Sequence, residues 1–340
     1  MSEPFAPSGS ENAASASPVE DVMRAELAYG DASLGTVGPI LGHLVVSSDH
    51  SLFSDEMVAR VRGMLGNVAR QLIDIETAHL PVPAESEAQD YEDDADAAQA
   101  TQDGTDERIA MLAQAIAGDQ AFLQHCHSLA IEFQLAERLQ RRSNIDPVLT
   151  PLMQSMVADK DSKTASAAMA TLAAQARFMQ QQRRMELPLG ELPTSLAEHA
   201  LQCWRAQTQV TEAHIVAQIS AAQRSLMDED RARLSLIRQL MDSIGRGSAG
   251  GAVSCLSLPH AGASIFLSAL AQTAGISRED SAILTNDRQM ARLALSLRGA
   301  ALKVTSIEEQ FHYLHPDIEL PDHFDSITPE RARALLGPAR

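Results

Sequence analysis

The chain has 340 residues, with 45 acidic and 27 basic side chains and a formal charge of −18. That acidity excludes nucleic acid as a general partner, because phosphate binding needs a basic face. Hydrophobic residues make up 45% but aromatics only 4%, so Ala, Leu and Met must fill the interior. This suits closely packed helices better than sheets, which draw on β-branched and aromatic residues.

Residues 1–17 are rich in Ser, Ala and Pro, and disorder is expected there. They carry no basic and apolar signal-peptide pattern. A first helix is expected from Pro18, stopping at Gly30, and a second, glycine-loosened one over Leu34–Ser47. That apolar run is interrupted by Gly35, Gly38, Pro39 and Gly42 and is too short to span a bilayer, so no membrane role is expected. Ser54 is read as the cap of a long helix. Its positions Val58, Val61, Leu65, Val68, Leu72 and Ile75 step by three and four. Such a heptad seam serves either an intramolecular bundle or a dimer interface, and both readings stay open.

Pro81 and Pro83 end that helix. From Ala84 to Thr105 the chain carries Glu85, Glu87, Asp90, Glu92, Asp93, Asp94, Asp96 and Asp103 and no basic residue. It is read as a disordered acidic linker, with or without a role in competing for a basic partner. Thr105 and Asp119 are the expected caps of the next two helices. The second of these buries Phe122, Cys126, Leu129, Phe133, Ala136 and Leu139.

Thr150 and Pro151 begin a helical hairpin that turns at Asp159–Ser162. Its second helix is expected to bury Ala165, Ala168, Met169, Leu172 and Ala176. Ser195 and Glu198 form a capping-box pattern. Asp228, Ser277, Ser306 and Thr328 are the expected caps of later helices, and Ala252–Leu258 is the one expected strand. The basic clusters Arg138, Arg141 and Arg142, and Arg183 and Arg184, fall where cations complement a helix C-terminus.

Pro151, Asp159, Asp161, Lys163, Ala168 and Leu172 sit where a HEAT-type helical pair places its corresponding residues, and Pro151–Met179 resembles one such pair. The resemblance implies stacked helical hairpins. More loosely, SIFLSALAQTAGISRED and ARLALSLRGAA within Ala261–Ala301 resemble the C-terminal part of an uncharacterised all-helical family of alphaproteobacteria. That implies a helical fold in a bacterial cytoplasm and supplies no catalytic residues.

The expected fold is therefore all-α: stacked, HEAT-like hairpins or an irregular α-solenoid. The expected division is a disordered 1–17, a helical region 18–80, the linker 81–105, a helical domain 106–186 and a C-terminal helical domain 187–340.

Chemistry-bearing motifs are sparse. Gly245–Gly250 spells GxGxxG, but a helix is expected before it, where dinucleotide binding requires a strand. His315-Pro316-Asp317 is the tripeptide of J-domain co-chaperones, yet Glu308 and Glu309 precede it instead of a basic helix. His312, His315 and Asp317, with His323 and Asp325 nearby, are the densest group of candidate metal ligands. The neighbours His125, Cys126 and His127 would point about 100° apart on a helix. The three cysteines, Cys126, Cys203 and Cys255, lack CxxC spacing and read as reduced thiols.

The leading expectation is a non-enzymatic scaffold or regulatory adaptor that binds a protein partner, without a cofactor. The alternatives are a metal-dependent enzyme around His312 and His315, and a homo-oligomer through the Val58–Ile75 seam.

Overall fold

Helix N-caps set several of the element boundaries. A computed structural model of the chain describes residues 18–46, 55–80, 93–247 and 251–337. The N-terminal 1–17, Ser54 and the first part of the expected linker lie outside the described residues. Among the described residues every regular element is helical, and none is long and apolar enough to cross a membrane.

The helices are α1 (Pro18–Val46), α2 (Asp55–His79), α3 (Asp93–Ala117), α4 (Gln120–Ser143), α5 (Pro151–Val157), α6 (Ser162–Arg183), α7 (Thr194–Gln207) and α8 (Ala213–Ser225). They continue as α9 (Arg233–Gly247), α10 (Gly251–Ser254), α11 (Leu258–Ala274), α12 (Arg278–Ile283), α13 (Met290–Gly299), α14 (Val304–Leu314) and α15 (Pro329–Leu336).

Local chemistry accounts for many of the ends. The Asp119 carboxylate accepts the Ala121 N–H at 2.7 Å, and Asn144 ends α4 in the left-handed region. The Thr150 hydroxyl accepts from Met153, and the Asp161 carboxylate from Lys163 and Thr164. Ser277 and Thr328 cap α12 and α15 as expected.

Several expectations fail for physical reasons. Gly30 does not stop α1, which runs on through Val46. A Cβ at Gly30 would come within 2.9 Å of the Arg288 carbonyl, so glycine serves close packing there. Residues 93–105 are not linker but the start of α3, and Thr105 lies inside that helix. Its Ala and Gln residues favour helix, and acidic side chains early in a helix suit its dipole.

The expected strand over 252–258 is replaced by α10, a connection and the start of α11. Helix α7 starts at Thr194 after Pro193, with no side-chain cap, so the Ser195 capping box is not made. Helix α14 starts at Val304, two residues before Ser306. Asp228 precedes a short 3-10 turn, and α9 follows only at Arg233. On α6 the buried stripe is Ala168, Thr171, Ala174, Gln175, Phe178 and Met179. Met169, expected inside, is 53% exposed.

The packing is not a stack of hairpins in chain order. In a solenoid each repeat touches only its neighbours. Here α6 packs on α9 and α5 on α11, while α4 meets α1, α2, α11 and α12. Helix α4 carries its six expected core residues and also buries His125, His127, Ser128 and Glu132, so it sits at the centre.

One apolar core runs from Val19 on α1 to Ala332 on α15, across the expected domain divisions. The two regions also clasp directly. Arg331 of α15 donates through Nε to Glu20 Oε1 at 2.7 Å, Arg292 pairs with Asp31, and Gln289 donates to the Gly30 carbonyl.

Candidate interaction groove

Helices α2 and α3 pack side by side and leave a groove of about 490 Å³ between them. One wall is Arg62, Leu65, Gly66 and Arg70, at helical spacing on α2. The other is Asp106, Ile109, Ala110, Ala113, Gln114 and Ala117 on α3, again one helical stripe. The floor is apolar, with Leu65, Ile109 and Ala117 buried.

The groove is open because its middle residues are small. A Cβ built at Gly66 would meet nothing within 4 Å among the described residues. The α2 rim carries Arg62 and Arg70, eight residues and about 12 Å apart. The α3 rim carries Asp106, whose carboxylate lies 3.6 Å from Arg70 Nη2 across the groove. A shallow apolar trough with oppositely charged rims suits an amphipathic helix laid along it.

One buried polar network holds the walls, and a second lies deeper in the core. On α2, Glu76 is nearly sealed from solvent. It accepts from Arg108 Nη2 of α3 at 2.6 Å, from Trp204 Nε1 of α7 at 2.6 Å and from the Thr208 hydroxyl at 3.2 Å. One carboxylate thereby ties both groove helices to α7.

Deeper in, Glu132 of α4 accepts from Arg233 Nη1 and Nη2 at 2.6 and 2.9 Å and from Arg278 Nη2 at 2.9 Å. The Ser264 hydroxyl also donates to Glu132, and Arg233 donates to Gln175 and stacks 3.6 Å from the Phe178 ring centre. Burial alone would raise the Glu132 carboxyl; the two guanidiniums reverse that and hold it at about 2. The network joins α4, α6, α9, α11 and α12. The small space lined by Gln175, Gly262 and Ser264, about 10 Å³, leaves no room there for a substrate.

The expected site residues are dispersed. Val58, Val61, Leu65, Val68 and Leu72 are buried in the core of this one chain, and Ile75 is half-buried against it. Self-association through that seam would require α2 to leave its neighbours. His312 is exposed on α14, His315 Nε2 lies 2.8 Å from the Thr285 carbonyl, and Asp317 is exposed. Among the described residues no three His, Cys, Asp or Glu side chains form a metal-binding group.

His125 instead meets the Glu279 carboxylate at 2.9 Å, and burial pushes His127 down to about 4. Helix α9 runs through Gly247, so a helix does precede the glycine-rich run, part of which lies outside the described residues. Arg141 and Arg142 lie in the last turn of α4, and Arg183 in that of α6.

Residues the sequence reading passed over carry most of this. Gly66, Ala110 and Ala113 drew no notice because small residues have no chemistry of their own. Glu132, Arg233 and Arg278 are far apart in the chain and meet only through the fold. Compared with known proteins, the chain matches no protein-family model, no curated protein and no solved structure.

Proposed function

We propose that this chain is a non-enzymatic interaction scaffold or regulatory adaptor of the bacterial cytoplasm, and that its partner docks an amphipathic helix in the α2–α3 groove. The observation that carries the reading is the apolar trough at Gly66, which no side chain among the described residues fills. The occupant that fits has an apolar stripe over Gly66, Ala110 and Ala113, and polar flanks that exchange with the Arg70–Asp106 pair now spanning the groove. The HEAT-like pattern of the α5–α6 hairpin belongs to the same reading, as a helical framework that supports a binding surface.

The test is the variant Gly66→Leu. Among the described residues nothing lies within 4 Å of the added Cβ, so the helix accepts it while the side chain occupies the trough. A partner captured from the native host by the wild-type chain and lost with Gly66→Leu supports the groove. An unchanged set of partners, with the fold intact by circular dichroism, overturns it. A dimer mass in light scattering that Gly66→Leu reduces to a monomer would make the occupant a second copy.

A further inference from the structure

The three cysteines have different surroundings. Cys126 is sealed inside α4, where burial pushes its thiol up to about 12, and Cys255 is buried, its thiol up at about 11. Cys203, on α7, is partly exposed.

Cys203 does not stand alone. Its Sγ lies 3.4 Å from Nε2 of His199, one turn earlier on the same helix face. The other ring nitrogen, Nδ1, lies 3.7 Å from Oδ2 of Asp119. Thiol, imidazole and carboxylate thus stand in line, with nucleophile, base and orienting group in the order that activated nucleophiles use.

Two features hold this geometry. The other oxygen of Asp119 accepts the Ala121 N–H at 2.7 Å, so the carboxylate is fixed at the start of α4. Trp204, next to Cys203, is anchored to Glu76, which fixes the rotation of α7.

We propose that Cys203 is a thiol–disulfide exchange site, with His199 as its base and Asp119 as a positioning residue, and that it takes a low-molecular-weight disulfide of the glutathione kind. In the step, Sγ attacks one sulfur of the disulfide. The Sγ–S bond forms as the disulfide S–S bond breaks. The thiol proton passes to His199 Nε2 and then to the departing thiolate. The products are a mixed disulfide on Cys203 and one free small thiol, so electrons and protons balance with no other oxidant.

Burial, and then the Asp119 carboxylate, hold the Cys203 thiol above its ordinary range. The resting group is therefore the neutral thiol, and the base acts during attack. The Asp119 carboxylate, 3.7 Å from Nδ1, stands on the far side of the ring from the thiol, beside the charge that forms as Nε2 takes the proton.

The experiment is the rate of mixed-disulfide formation on the reduced full-length chain with glutathione disulfide at neutral pH, read by intact mass and peptide mapping. One adduct, on Cys203, is expected, and none with Cys203→Ser. His199→Gln should slow it by about tenfold or more with an unchanged thermal midpoint. In urea the wild type and this variant should react alike, because the geometry is gone. Asp119→Asn keeps a good helix cap and removes a charge that holds the thiol up, so a slower reaction there, against that shift, is the result expected of a positioning residue. A wild-type rate in folded His199→Gln, or adducts spread over Cys126 and Cys255, overturns the proposal. A wild-type rate in Asp119→Asn reduces Asp119 to a cap and overturns its part.

Discussion

The indole N–H of Trp204 donates to Oε2 of Glu76 at 2.6 Å, and both residues are 1% exposed. Trp204 is the chain's single tryptophan, so its fluorescence reports this junction of α2, α3 and α7 alone. Glu76→Ala would leave the indole N–H, the Arg108 guanidinium and the Thr208 hydroxyl without their shared acceptor. A loss of about 2–4 kcal/mol is expected in urea unfolding followed at Trp204. A change below about 0.5 kcal/mol would mean that solvent already reaches this carboxylate.

Glu132 neutralises two guanidiniums at once. Glu132→Ala should cost about 3–5 kcal/mol, because Arg233 is left buried and uncompensated. Arg233→Met in the same chain should recover part of that loss. A double-mutant cycle with zero coupling would refute the network as drawn.

Stability should fall in two stages on acidification. His127 stays neutral in the fold down to about 4, against an ordinary 6.5. The unfolded chain binds that proton first, so stability drops as pH falls from about 6.5 to 4. Glu132, at about 2 against an ordinary 4.5, stabilises the fold above 4.5 and loses that contribution as pH falls toward 2. Each stage is on the order of 3 kcal/mol. Urea midpoints measured at intervals from pH 7 to 3 check this. His127→Gln should flatten the upper stage whatever it does to the absolute level.

Gly262 kinks α11 with φ +73° and ψ 174°, a conformation that disfavours any side chain, and a Cβ there would lie 2.6 Å from Thr150 Cγ2. Gly262→Ala should cost about 2–4 kcal/mol from strain and overlap together. Thr150→Ser keeps the capping hydroxyl but removes that methyl. Added to Gly262→Ala it should return the overlap share and leave the backbone share. Thermal unfolding of the single and double variants separates the two.

Gly66 lies inside α2, with open space where its side chain would be. Gly66→Leu should raise stability by about 0.5–1 kcal/mol through helix propensity. A destabilised variant would mean that the trough is narrower than its lining residues indicate.

Helical composition and spacing were enough to read the class of fold, the full apolar stripe of α4, the turn at Asp159–Ser162 and the caps at Asp119, Thr150, Ser277 and Thr328. These signals are local and lie within a few residues of one another. The acidic run misled because helix content was judged from charge, while Ala and Gln carried residues 93–105 into α3. Met169 misled because α6 buries the face that meets α9, and nothing within α6 records which face that is. The Glu132 cluster depends on which helices become neighbours across a hundred residues or more, and the groove on how closely two successive long helices approach. His199 and Cys203 were within reach, being four apart on a helix. Asp119, which completes their line, was not.

The clasp between Glu20 and Arg331 bears on how the chain is made. The two residues are 311 positions apart. At the 5–20 residues per second of ordinary translation, α1 leaves the ribosome roughly 15–60 s before α15 exists. Until α13 is made, the side of α1 that meets it lacks that cover. Folding from the first helix onward can reach α2 and α4 but cannot complete the contacts of α1 with α13. A chain halted before Gln289 would therefore hold Asp31 and the Gly30 carbonyl without the Arg292 and Gln289 that meet them in the finished fold.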